Sequence, residues 1–281
     1  MSTDTLLVEL GTEELPPKAL KTLGLAFRDG IVSGLAQRDL EHGEVKWFAS
    51  PRRLAVQIAN VQLRGADQAQ EVLGPPADRA KDNDGNWTPA AAGFAKKQGV
   101  EPADLETIDT PKGARLGLRR TLEGADTSAE LNTIIHESIA ALPIPKRMRW
   151  GASRVEFVRP VHWVLAMLGE HCDHGEVLGL STGNTTRGHR FHSSGDITLT
   201  RPEDYEGALL EAKVVADYNT RQAMIRDQVE VEASALAATA VIDTDLLDEV
   251  TALVEWPVAL TGSFEERFLE VPAEALVSSM K

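Results

Sequence analysis

The sequence predicts an α+β fold: mixed, mainly antiparallel sheets with packed helices, followed by a helical C-terminal segment. Three observations carry the prediction. Short runs of strand formers recur in the first two thirds of the chain, two of them joined by a turn sequence that suits a hairpin. Apolar residues at helical spacing lie between those runs. Beyond Pro202 the pattern turns helical.

In order, Leu6-Leu7-Val8-Glu9-Leu10 reads as a first strand. Pro16-Pro17 then opens a helix, because proline suits a first turn whose N–H groups have no intrahelical partner, and Leu20, Leu23, Phe27, Ile31 and Leu35 give that helix one apolar face. Val45 to Ala49 and Leu54 to Ala59 read as strands connected through Ser50-Pro51-Arg52-Arg53. Gly74-Pro75-Pro76 and Asp82-Asn83-Asp84-Gly85-Asn86 bracket a polar excursion, and a short helix follows from Pro89 to Gln98. Leu116 to Leu122 is a further strand and Ser128 to Leu142 a capped amphipathic helix. Pro143-Ile144-Pro145 fixes the backbone twice and restricts the preceding residues, which places a boundary there. An N-terminal α+β domain is expected over 1–142 and a second α+β domain with a helical arm over 143–281. In the second, strands are expected near Val155–Val158, Trp163–Leu168, Gly175–Leu180 and Ile197–Thr200, then helices over Tyr205–Val215, Asn219–Ala240 and Asp243–Leu253. The stretch from Val254 to Lys281 ends on a helical pattern without a cap, so the sequence is expected to be a piece of a longer protein.

A chain of 281 residues with 42% apolar content can bury a sizeable core in one large or two ordinary domains. Cys172 is the one cysteine, which leaves no intrachain disulfide or cysteine-built metal cage and points to a reducing cytoplasm. Met1-Ser2-Thr3-Asp4-Thr5 lacks the basic start of a signal peptide, and no apolar run approaches the roughly 20 residues that span a bilayer. A soluble, cytoplasmic protein without a membrane partner is expected. The net charge of −14 argues against nonspecific nucleic-acid binding, but it is uneven. From Glu203 onward there are 17 acidic and 5 basic residues, against 26 and 24 before it. Any RNA-binding patch therefore belongs to the first two thirds.

Four segments carry chemistry. Val8 to Leu20 places Glu9, Glu13 and Glu14 between a strand and a helix, where carboxylates can do acid-base or metal work or Thr12 or Glu13 can cap the helix. Arg52 and Arg53 sit together on a turn, a fork for phosphate or carboxylate or a solvated pair. Lys146-Arg147-Met148-Arg149-Trp150 sets three cations beside an indole, which suits phosphates and a stacked base, or a linker whose Trp150 packs inward. Arg154 and Arg159 extend it. Thr185 to His192 packs Arg187, Arg190 and two histidines around Gly188, to bind an anion or RNA or to order a loop. There is no P-loop and no GxGxxG at a strand–helix junction. His171-Cys172-Asp173-His174 looks like a metal cluster but lacks a distant partner pair, so no metal site and no catalytic residue is assigned.

Gly11 to Leu20, Pro51-Arg52-Arg53-Leu54-Ala55, Leu142 to Gly151, Phe157 to His162, Arg187 to Phe191 and Val254 to Lys281 occur in the order seen in the beta subunits of bacterial heterotetrameric glycyl-tRNA synthetases, which the chain resembles along essentially its whole length. The resemblance implies the N-terminal portion of such a subunit, lacking an HD-type and an anticodon-binding domain and inactive alone. It implies a complex of two alpha and two beta chains, with ATP and Mg2+ used on alpha, tRNA(Gly) as the RNA partner, no DNA, and no cofactor on this portion. Arg52, Arg53, Lys146, Arg147, Arg149, Trp150, Arg159, Arg187 and Arg190 are then the candidate contacts to tRNA or alpha. Two rivals stand beside this: a subunit-assembly module that binds alpha without touching RNA, and a stand-alone hydrolase built on Glu9, Glu13 and Glu14.

Overall fold

The computed structural model describes residues 2–82, 84–172 and 174–280. The chain divides into two compact units, Met1–Leu63 with Asp126–Lys281, and Arg64–Ala125. In chain order the first unit begins with β1 (Thr3–Thr12), α1 (Pro17–Ala36), β2 (Val45–Ser50) and β3 (Arg53–Gln62). The second holds β4 (Gln68–Pro76), α2 (Pro89–Gln98), β5 (Glu106–Thr110) and β6 (Gly113–Leu122). The first unit resumes with α3 (Thr127–Ala141), β7 (Met148–Arg149), β8 (Glu156–Phe157), β9 (Val161–Leu168), β10 (Glu176–Val177), β11 (Leu180–Gly183), β12 (Thr185–Arg187) and β13 (Asp196–Thr198). It ends with α4 (Tyr205–Glu211), α5 (Tyr218–Ala235), α6 (Thr244–Leu253) and α7 (Ala273–Met280). The α+β class and the helical C-terminal segment are as predicted.

The first unit is built on a six-stranded sheet of order β10-β11-β9-β1-β3-β2, antiparallel except where β11 joins β9. Strand side chains alternate between faces, and here both faces are covered. Leu6, Val8, Leu10, Leu54, Val56 and Val164 pack with the apolar stripe of α1 and with Leu131, Ile134 and Ile135 of α3. Leu7, Ala55, Leu165 and Met167 face the other way, onto Leu199, Tyr205, Leu209 and Val214. That is why the β1 sequence is nearly continuous in apolar residues.

β9 pairs with β1 along its length, so the central sheet crosses the boundary expected at Pro143, and the compact division falls at 63/64 and 125/126 instead. The second unit has its own sheet, β4-β6-β5, and a small core of Ala80, Ala91, Ala95, Leu105 and Leu116. The expected strand from Gly175 to Leu180 is a hairpin, because Leu178 and Gly179 both take positive φ, 52° and 79°, and turn the chain. The helix expected to run to Ala240 stops at Ala235, and that over Tyr205–Val215 stops at Glu211.

Arg221 of α5 is fully buried and donates to five backbone carbonyls, of Ala49, Val215, Ala216, Asp217 and Thr251. It ties α5, α6 and β2 together.

Candidate functional site

Alternation along three neighbouring strands places a charged group inside the fold. Glu9 of β1, Arg53 of β3 and Trp163 of β9 lie on the Leu7 face of the sheet, with Gly11 paired to both Arg53 and Trp163. A Cβ on Gly11 would fall inside the Trp163 indole, so the missing side chain is what lets the ring lie across β1. One Glu9 oxygen accepts from Trp163 Nε1 at 2.9 Å, Thr186 Oγ1 at 2.9 Å and Arg53 Nη1 at 3.4 Å. Arg53 also donates to Ser50 Oγ (3.1 Å) and the Arg187 carbonyl (2.8 Å) and lies 3.5 Å from Glu255, which accepts from Ser50.

Glu9 and Arg53 are both 0% exposed. Burial pushes the Glu9 carboxyl up, against the pull of Arg53 and of the bonds from Thr186 and Trp163. Burial also opposes the Arg53 charge, but Glu9 and Glu255 outweigh it and hold the guanidinium protonated. The second Glu9 oxygen and the Tyr205 hydroxyl are enclosed without hydrogen bonds, and burial drives the Tyr205 phenol well up.

The connection between β2 and β3 is a two-residue loop, Pro51-Arg52, with Ser50 paired to Arg53. Thr12 and Leu15 donate their backbone N–H groups to the carbonyls of Arg52 and Pro51, so the start of α1 is laced to the hairpin. The helix is capped differently from the expectation: Pro16 is the N-cap residue without any side-chain bond, and the Thr12 hydroxyl is enclosed unpartnered. Glu13 is occupied elsewhere. It accepts from Arg190 Nη2 at 2.7 Å and meets His162 Nε2 at 2.9 Å, and the Arg190 bond holds its carboxyl below the usual range.

Four predicted cations converge here. Arg159 donates to the Glu14 carbonyl (3.0 Å), Arg190 reaches Glu13, Arg187 pairs with Asp196 (3.0 Å), and Arg52 and Arg187 lie 5.9 and 5.2 Å from the Trp163 ring. Arg52, Arg187 and Arg190 line two adjoining clefts. One of about 230 Å³ is lined by Glu14, Arg52, His189, Arg190, Glu255 and Trp256, and one of about 240 Å³ by Arg52, Arg187, His189, Arg190, Ser193 and Asp196. Arg53 lines neither and, being buried, presents no surface to a partner.

Arg159 and the remaining predicted cations line neither cleft. Lys146 is exposed, Arg147 donates to the carbonyls of Ile139 and Ala140 at the end of α3, and Arg149 grips Glu156 at 2.6 Å across β7 and β8. Trp150 packs half-buried against the main core. Sequence reasoning missed Glu255 and Thr186 as partners of Arg53, and Trp163 as a partner of Glu9. Only Glu255 leaves a signal, a lone carboxylate in the apolar run Val254 to Val258. The rival reading of Glu9, Glu13 and Glu14 as an acid-base set is not supported by their placement, since Glu9 is sealed and Glu13 is committed to Arg190 and His162. His171 and His174 stack edge to face at 4.8 Å, while Asp173 lies outside the described residues. Among the described residues no three His, Cys, Asp or Glu side chains converge to hold a metal ion.

A family model described as glycyl-tRNA synthetase beta subunit matches residues 6–281. The chain is 52% identical over 281 residues to the glycine–tRNA ligase beta subunit of Chromohalobacter salexigens, 50% over 282 residues to that of Hahella chejuensis and 51% over 283 residues to that of Marinobacter nauticus. Each likeness covers all of this chain and 41% of the relative's length.

Proposed function

Because the chain belongs to the glycyl-tRNA synthetase beta-subunit family, we propose that it helps bind and position tRNA(Gly) for ATP-dependent attachment of glycine, with the aminoacylation site, its ATP and its Mg2+ on a separate alpha subunit. The complex holds two alpha and two beta chains in the cytoplasm. Among the described residues no helix is long and apolar enough to cross a membrane.

One observation carries the reading. Within a chain of net charge −14, Arg52, Arg187 and Arg190 line two open clefts, and Arg159 is bonded to the backbone of Glu14 beside one of them. Cations so placed neutralise phosphates and fix the register of an RNA without reading its bases. Lys146, Arg147 and Arg149 supply a second set for the same backbone. The test is an anisotropy titration of tRNA(Gly) and a noncognate tRNA across a salt series. Saturable binding is expected, with each removed phosphate contact flattening the salt dependence by about one unit of log–log slope. No binding at low salt overturns the proposal. The alternative, a subunit-assembly module that binds alpha without touching RNA, is favoured by one feature: Val258, Leu260, Phe264 and Leu269 stand 64%, 86%, 54% and 65% exposed. It predicts a salt-insensitive complex with alpha that weakens when these residues are made polar.

A further inference from the structure

The cleft of about 240 Å³ contains a buried cation without an ion pair: burial lowers the Arg52 pKa, and the charges of Glu255 and Glu13 oppose that only in part. Arg52 is 8% exposed, its Nε is enclosed without a partner, and among the described residues no carboxylate lies within ion-pair distance of it. Every other buried charged side chain described has a hydrogen-bond partner: Glu9, Arg53, His174, Arg221 and Glu255. The neighbouring cations are already matched, Arg187 with Asp196 and Arg190 with Glu13, and Glu255 is shared by Arg53 and Ser50. A buried charge without a partner is costly unless something supplies one. The Arg52 backbone is pinned by the Thr12 N–H at 2.8 Å, which fixes the root of the side chain.

The same cleft offers a donor. His189 Nδ1 accepts from the N–H groups of Phe191 (3.1 Å) and His192 (3.3 Å), so the neutral ring carries its proton on Nε2. Burial lowers the His189 pKa, in keeping with a neutral ring. Gly188 allows this tight loop, since a Cβ there would come within 2.6 Å of Ala212 Cβ and Ser193 Oγ.

We infer that this cleft is a pocket for a single phosphate group, held by the Arg52 guanidinium and flanked by Arg187, Arg190 and His189. The inference deepens the reading above, on which the phosphate is one of the tRNA backbone; free phosphate is the other source of the same chemistry.

The test follows the indole N–H resonance of Trp163, which lies against both Arg52 and Arg187, in the 15N-labelled full chain titrated with inorganic phosphate at constant ionic strength. A saturable shift is expected. Arg52→Gln should weaken it about tenfold or more, the loss of one charge-assisted hydrogen bond. Arg187→Gln, at a side chain 46% exposed, provides the same comparison if the first variant does not fold. A shift that never saturates, or equal affinity in both folded variants, overturns the pocket. tRNA binding by the same variants separates the two readings. A matching loss of tRNA affinity makes a tRNA phosphate the occupant. Weakened phosphate with unchanged tRNA binding keeps the pocket, assigns it to free phosphate and removes these residues from the tRNA surface. Normal tRNA binding with no phosphate response sinks the pocket and leaves the tRNA reading standing.

Discussion

Replacing Arg53 by Met keeps an apolar stem of similar length and removes the cation between two enclosed carboxylates. At an effective dielectric of about 20, a separation of 3.4 Å from Glu9 corresponds to an attraction of about 5 kcal/mol, most of it offset in the wild type by desolvation. What the variant feels is the stranded charge, because Glu9 has no exposure and no second cation. The expected loss of stability is roughly 3–5 kcal/mol, the range for breaking a buried pair from one side. Urea unfolding at neutral pH measures it. Adding Glu9→Gln should recover more than half of the loss, since the amide no longer needs a counter-charge while its oxygen still accepts from Trp163 and Thr186. The pH dependence has a definite sign. The folded Glu9 pKa is raised above its unfolded value of 4.5, so the folded state binds more protons in that window and stability falls as pH rises through it. Without Arg53 the folded value climbs further, so the deficit should shrink on acidification toward the unfolded value. A loss below about 1 kcal/mol, or one indifferent to pH, would refute the claim that Arg53 compensates buried charge.

Three further outcomes follow from the same geometry. Gly11→Ala should displace the Trp163 indole and break its bond to Glu9, costing about 2 kcal/mol or more by thermal unfolding, with a change in tryptophan emission. Burial, the Asp248 charge and its hydrogen bond push the Tyr218 phenol up to about 12, so stability should fall as pH rises from about 10 to about 12. Asp248→Asn should lower that ionisation in an ultraviolet titration. The Arg190 bond lowers Glu13, whose stabilisation is therefore present above its unfolded value of 4.5 and lost as pH falls through the folded one. Wild type and Glu13→Gln should accordingly differ by less than about 1 kcal/mol at neutral pH, because the pair is partly exposed, and converge in acid.

Several elements were legible because their signals are local. The apolar stripe of α1, the Thr88-Pro89 start and Gly99 stop of α2, and the turn between β2 and β3 are written in adjacent residues. β4 was not legible: Gln68 to Pro76 opens on Gln-Ala-Gln-Glu and closes on Gly-Pro-Pro, without a sustained alternation, and within it only Gly74 is buried. Nor was the turn at Leu178-Gly179, where a leucine occupies the left-handed region that sequence patterns reserve for glycine or asparagine. The boundary expected at Pro143 rested on backbone stiffness, which says nothing about the partner a later strand will find, and β9 finds β1.

The candidate site shows the same limit at finer scale. As neighbours in sequence, Arg52 and Arg53 look like one fork for an anion. Strand geometry separates them, because Arg53 is the first residue of β3, paired with Ser50 and Gly11, and its side chain is committed to the face carrying Glu9. Arg52 sits in the loop one residue earlier and turns to the clefts. Neutralising one should therefore act on folding, and neutralising the other on anion binding with the fold retained. If both substitutions unfolded the chain alike, or both left it intact and cost only binding, the division of labour imposed by the strand would be wrong, and the two arginines would be the single fork that their spacing suggests.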